Sequence, residues 1–91
     1  MTTVSVTVEV TQEDIENGSS LSGTRCPIAL AVNRSANRSD TGIAVGLAHF
    51  TSIHKFSELP SVATDFYRAF DRDLPVSPFS FPLDIPVEDE E

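Results

Sequence analysis

The run Val4-Ser5-Val6-Thr7-Val8-Glu9-Val10-Thr11-Gln12-Glu13-Asp14 decides the fold class. As far as Val10, β-branched residues alternate with polar ones, a period of two that describes a strand with one dry and one wet face. At Thr11 the pattern changes. Thr11 with Asp14 three residues on reads as a capping box, in which each side chain accepts a hydrogen bond from the other residue's backbone N–H. A strand that runs directly into a capped helix belongs to a mixed chain. The helix is two turns at most, because Ile15 is its only large apolar residue before the stop signal Asn17-Gly18.

Further along, Cys26-Pro27-Ile28-Ala29-Leu30-Ala31-Val32 opens a second helix, with proline at the first position, where its missing N–H goes unneeded. The helix is expected to end between Arg34 and Arg38, and Ser39-Asp40-Thr41-Gly42 is a turn. Ile43, Val45 and Leu47 alternate with Ala44, Gly46 and Ala48 and predict one strand. A turn near Thr51-Ser52 then leads to another strand through Phe56. Leu59-Pro60-Ser61 starts the clearest helix, with Val62, Ala63, Phe66, Ala69 and Phe70 as its apolar stripe and Leu74-Pro75 as its stop. Phe79, Phe81, Leu83 and Ile85 alternate with Ser80, Pro82 and Asp84, and Pro82 assigns this last strand to a sheet edge because it cannot donate to a ladder. The expected fold is α+β, in the order β-α-α-β-β-α-β. It has about four mostly antiparallel strands in one small sheet and helices on one face. Residues 1–86 form a single domain and residues 87–91 a disordered acidic tail.

The chain has 91 residues and a net charge of −8, from 14 acids against 6 bases. Four of the acids are residues 88–91, so half of the net charge sits at the end of the chain. Glu13, Asp14 and Glu16 complement the positive end of the first helix. Nucleic-acid binding needs several bases to displace counterions from phosphates, and here bases are in the minority even without the tail. Attraction to anionic membranes is disfavoured on the same ground. No apolar run approaches the ~18 residues of a membrane span. The opening residues carry no secretory pattern, so the expected place is the cytoplasm. With no signal for secretion, the acceptor patterns Asn33-Arg34-Ser35 and Asn37-Arg38-Ser39 are chance matches.

Four constellations deserve a chemical reading. Cys26, the only cysteine, lies at a helix start, where amide dipoles favour a thiolate and Arg25 adds to the effect; the plainer alternative is a small buried filler. One cysteine cannot form an internal disulfide. His49 and His54 are the only histidines, and five positions apart in a continuous strand they face opposite sides. They converge only across a turn, so no metal site and no cofactor are expected. Arg34 and Arg38 lie four apart and form a candidate anion clamp, or else answer the helix dipole. Phe79, Phe81, Leu83 and Ile85 form the candidate binding strand, since an exposed edge adds a partner's strand or a second copy.

Two of these stretches carry a resemblance. Val10-Thr11-Gln12-Glu13-Asp14-Ile15 with Gly18, followed by Cys26-Pro27-Ile28-Ala29-Leu30-Ala31, resembles small uncharacterised phage and bacterial proteins with a CPIALA-type helix. The helix from Leu59-Pro60 to Phe70-Asp71 and the ending Pro78-Phe79-Ser80-Phe81 are similar too, so the likeness spans about residues 4–86. It implies no established activity. It does imply a phage or mobile-element setting, with the host cytoplasm as location and a host protein as partner.

The expected function is therefore a non-enzymatic protein-interaction module, an accessory protein that binds or modulates a host protein and forms a homodimer. One alternative is an acidic nucleic-acid mimic that inhibits a DNA- or RNA-binding protein. Another is a small cysteine-dependent enzyme or redox sensor using Cys26.

Overall fold

A computed structural model describes residues 2–20, 22–44 and 46–87. The elements are β1 (Thr2–Val10), α1 (Gln12–Asn17), α2 (Pro27–Ala36), β2 (Thr41–Ala44), β3 (Leu47–Phe50), β4 (Lys55–Glu58), α3 (Ser61–Asp71) and β5 (Phe79–Val87). The class is α+β and the elements follow in the expected order, with five strands where about four were expected. The single sheet is corrected to two antiparallel ones, β1–β5 and β2–β3–β4. Residues 88–91 and Val45 lie outside the described residues, and β5 continues through Val87, one residue into the stretch assigned to the tail.

The first and last strands are partners. Val4 faces Ile85, Val6 faces Leu83, Val8 faces Phe81 and Val10 faces Phe79. Residues opposite one another in an antiparallel pair share a face, so the valines and the large residues of β5 form one apolar layer. Val8, Val10, Phe81, Leu83 and Ile85 are buried in it. α2 packs against both β1 and β2, and its buried side is Ile28, Ala29, Ala31 and Val32. The two alanines let the helix axis approach the strands closely.

The extra strand comes from Gly46. Its φ of +79° lies in the left-handed region, where glycine pays no steric penalty, and the chain reverses there between Ala44 and Leu47. The turn is anchored on both sides. Gly46 N–H donates to the Tyr67 hydroxyl at 2.7 Å, and its carbonyl accepts from Leu59 N–H at 2.9 Å. Ile43 and Leu47, expected on one strand, therefore lie on the two arms of a hairpin.

The helix ends follow local chemistry. Thr11 and Asp14 form the expected capping box, with bonds of 3.2 and 2.9 Å. Gly18 closes α1 against α2 so tightly that a Cβ there would lie 2.7 Å from Pro27 Cδ and 2.9 Å from the Asp14 carbonyl oxygen. α2 stops at Asn37, whose φ of 56° is the left-handed conformation that asparagine tolerates. α3 buries Ala63 and Phe66, while Val62, expected in the stripe, is half exposed. No helix among the described residues is long and apolar enough to cross a membrane.

Candidate interaction surface

The residues singled out from sequence go to four separate places. Phe81, Leu83 and Ile85 are buried and Phe79 is half-buried, packed at 4.8 Å from the Phe66 ring and 5.5 Å from the Phe81 ring. Their side chains make the core, so what β5 offers outward is its other face and its backbone.

Cys26 is the N-cap of α2, and its Sγ accepts from Ala29 N–H at 3.4 Å. Burial pushes the thiol up, against the N–H groups of Ala29 and Ile28, and the nearby Asp71 carboxylate pushes it further. The sulfur is thus held as a neutral thiol. The small cavity beside it is lined by Ser22, Gly23, Ile43, Ala44, Tyr67 and Asp71, with no histidine.

His49 and His54 instead line one shallow groove elsewhere, with Phe50, Thr51, Lys55 and Phe56. The turn after β3 brings them there: His54 adopts a φ of 56°, and the His49 ring lies 5.7 Å from the Phe56 ring. Among the described residues, no group of three histidine, cysteine or acidic side chains is placed to hold a metal.

Arg34 and Arg38 are drawn to opposite tasks. Arg34 grips the buried Asp14 carboxylate with bonds of 2.6 and 2.8 Å and also donates to the Glu9 carbonyl at 2.6 Å. This one side chain ties β1, α1 and α2 together. Arg38 lies beyond the end of α2 and binds Asp40 with bonds of 2.8 and 2.9 Å, its guanidinium 5.0 Å from the centre of the Phe50 ring. Asp40 also accepts from the Ser52 N–H and hydroxyl, which shapes the turn before β4. Each guanidinium already holds an internal carboxylate. The Arg38 and Ser52 bonds outweigh burial and hold the Asp40 carboxyl well below the usual range.

The strand edges can be read from the ladder. In an antiparallel pair, a residue's N–H and C=O point to the same side, and successive residues alternate. Asp84 C=O accepts from the Ser57 hydroxyl, so it points away from β1 towards β4. By alternation Pro82 and Pro86 face that side too. Both lack an N–H, so they cost the β1–β5 ladder nothing and remove donors from the other edge of β5. β4 lies beside β5 across this edge without forming a ladder. The outer edge of β2 is also closed: Thr41 N–H donates to the Asn33 side-chain oxygen at 3.1 Å and Ile43 N–H to the Gly23 carbonyl at 2.7 Å.

The gap between β4 and β5 is a groove of about 510 Å³. Phe56, Leu59, Pro60, Pro82 and Pro86 give it apolar walls, and the acidic residues Glu58 and Asp84 complete the lining. Phe56 is 61% exposed, the most exposed large hydrophobic residue among those described. Sequence reasoning passed over it. The period-two count that sends Phe81 and Leu83 inward does send Pro82 and Asp84 outward, but nothing local to residues 55–58 shows that β4 stops short of pairing with β5.

No protein-family model, no curated protein and no solved structure matches the chain.

Proposed function

We propose that the protein is a non-enzymatic protein-interaction module whose contact surface is the groove between β4 and β5. The observation that carries the reading is Phe56, an aromatic ring held 61% exposed on the rim of a proline-walled groove. Exposed aromatics are costly to keep in water and are the residues that most often anchor interfaces. Glu58 and Asp84 along the same groove favour a partner segment that combines apolar with basic side chains. A small accessory protein acting on a host protein in the cytoplasm fits this surface. It also fits the phage-type resemblance of the sequence. Cys26 supports the same reading, because its sulfur is spent on capping a helix.

A photo-crosslinking residue at position 56, with another at exposed Gln12 as control, tests this in bacterial extract. The expected result is one discrete adduct from position 56 alone. The purified adduct protein should then bind Phe56→Ser at least tenfold more weakly, while circular dichroism of the variant is unchanged. Equal labelling from both positions, or unaltered binding by Phe56→Ser, would refute it.

A further inference from the structure

We propose that the outer edge of β1 pairs with the same edge of a second copy, antiparallel and centred on Ser5. The alternation that turns Asp84 outward on β5 turns its facing residue, Ser5, outward on β1, together with Thr3, Thr7 and Glu9. An independent bond agrees: the Glu9 carbonyl points away from β5 and accepts from Arg34 at 2.6 Å. That bond closes the edge at Glu9. Among the described residues, the N–H and C=O groups of Thr3, Ser5 and Thr7 meet no other strand, since β1 pairs with β5 alone. β5 meets Pro82 and Pro86 at its free edge, and β2 has its outer N–H groups capped. β4 has β5 lying beside its free edge, so among the described residues β1 is the edge left without a device or a neighbouring strand.

The open stretch also fixes the register. With Glu9 occupied by Arg34, the free groups run from Thr3 to Thr7, and their midpoint is Ser5. An antiparallel two-fold at Ser5 sets Thr3 against the second copy's Thr7 and Ser5 against its counterpart. Each facing pair can then exchange both backbone bonds. On the wet face the pairs are threonine with threonine and serine with serine, a favourable cross-strand match. On the apolar face the same register sets Val4 against Val6 of the second copy. Val4 is 48% exposed, and beside it lies a depression lined by Val6, Ile85, Ala36 and Asn37 that the second copy would cover. No residue from Thr3 to Val8 carries a charge, so two chains of net charge −8 meet along a neutral segment. A two-stranded sheet is marginal by itself, and the pairing makes it four-stranded, in the order β5-β1-β1-β5.

Sedimentation equilibrium tests the proposal, with full-length wild type compared with Ser5→Pro and Ser5→Lys. Proline at position 5 removes an outward N–H without touching the β1–β5 ladder, and lysine sets two positive charges against each other across the two-fold. Wild type is expected to approach twice its 9.9 kDa mass as concentration rises to about 0.5 mM, the range in which weak self-association becomes visible. Both variants should stay at 9.9 kDa with a dimer constant at least tenfold weaker. Their far-ultraviolet circular dichroism should match that of dilute wild type. A wild-type chain that remains monomeric over this range overturns the proposal. So does a Ser5→Pro chain that is folded and still dimeric.

Discussion

Replacing Arg34 by methionine keeps the aliphatic stem and removes the guanidinium, so its effect isolates the clasp between β1, α1 and α2. The Asp14 carboxylate is 5% exposed and Arg34 50% exposed. A fully exposed pair is worth about 0–1 kcal/mol and breaking a fully buried one costs about 3–5 kcal/mol. With one partner buried and the other half in water, the loss should be about 2 kcal/mol. For a chain of this size that lowers Tm by roughly 10 °C. Asp14→Ala removes the same pair and the capping-box bond to Thr11 N–H, a further ~1 kcal/mol. The double variant should cost little more than Asp14→Ala alone, a coupling of about 2 kcal/mol. Acidity supplies a second check. Burial raises the Asp14 carboxyl, but Arg34 and the Thr11 bonds outweigh it, so the native group lies below its usual range. A carboxyl depressed on folding stabilises above its unfolded pKa of about 4, and that contribution is lost as pH falls further. In urea titrations followed by circular dichroism, wild type and Arg34→Met should therefore differ by the full amount at neutral pH and converge in acid. Additive single and double variants, or a loss under about 0.5 kcal/mol for Arg34→Met, would refute the clasp.

Gly18→Ala should destabilise by about 2 kcal/mol or more through overpacking, since the added Cβ meets Pro27 and the Asp14 carbonyl, neither of which can swing away; a thermal melt unchanged from wild type would contradict the close approach. The Cys26 thiol should react with a chromogenic disulfide reagent only as fast as the protein opens, and the rate should climb with urea, because the sulfur is buried and bonded to Ala29 N–H. Cys26→Ser should keep the helix cap and stay within about 1 kcal/mol of wild type, as serine is itself a strong N-cap. Immediate stoichiometric reaction in native buffer would instead mark an accessible thiolate.

The parts of the fold visible in the sequence are those decided within a few residues. Thr11 and Asp14 carry a capping box in their spacing, Pro27 marks a helix start, and the valines of β1 show their alternation directly. The hairpin at Gly46 was hidden for a physical reason: with Ala44 opposite Leu47, Ile43 and Leu47 lie on opposite faces, yet both are large and apolar and four positions apart, so in the sequence they imitate one continuous strand. The fate of Arg34 was hidden differently. Helical spacing relates it to Arg38, whereas its bond is to Asp14, 20 residues earlier and across an element boundary. The candidate binding strand was half legible. The alternation of Phe79, Phe81, Leu83 and Ile85 identified β5, and Pro82 identified an edge without a donor. Those apolar side chains are the ones the core takes, which leaves Phe56 and Pro82 exposed on the groove. Whether two strands pair or leave a groove depends on contacts between residues 27 apart, as with Ser57 and Asp84, and no local pattern records that.

Amide hydrogen exchange followed residue by residue tests most directly the claim that the backbone is closed at β2 and β5 and open along β1. In dilute solution exchange should be slow at Thr41 and Ile43, whose N–H groups are bonded to Asn33 and Gly23, and fast at Thr3, Ser5 and Thr7. Raising the concentration should slow those three β1 amides and leave Thr41 and Ile43 unchanged. Protection of Thr3, Ser5 and Thr7 at every dilution, or exchange at Thr41 and Ile43 as fast as theirs, would contradict it.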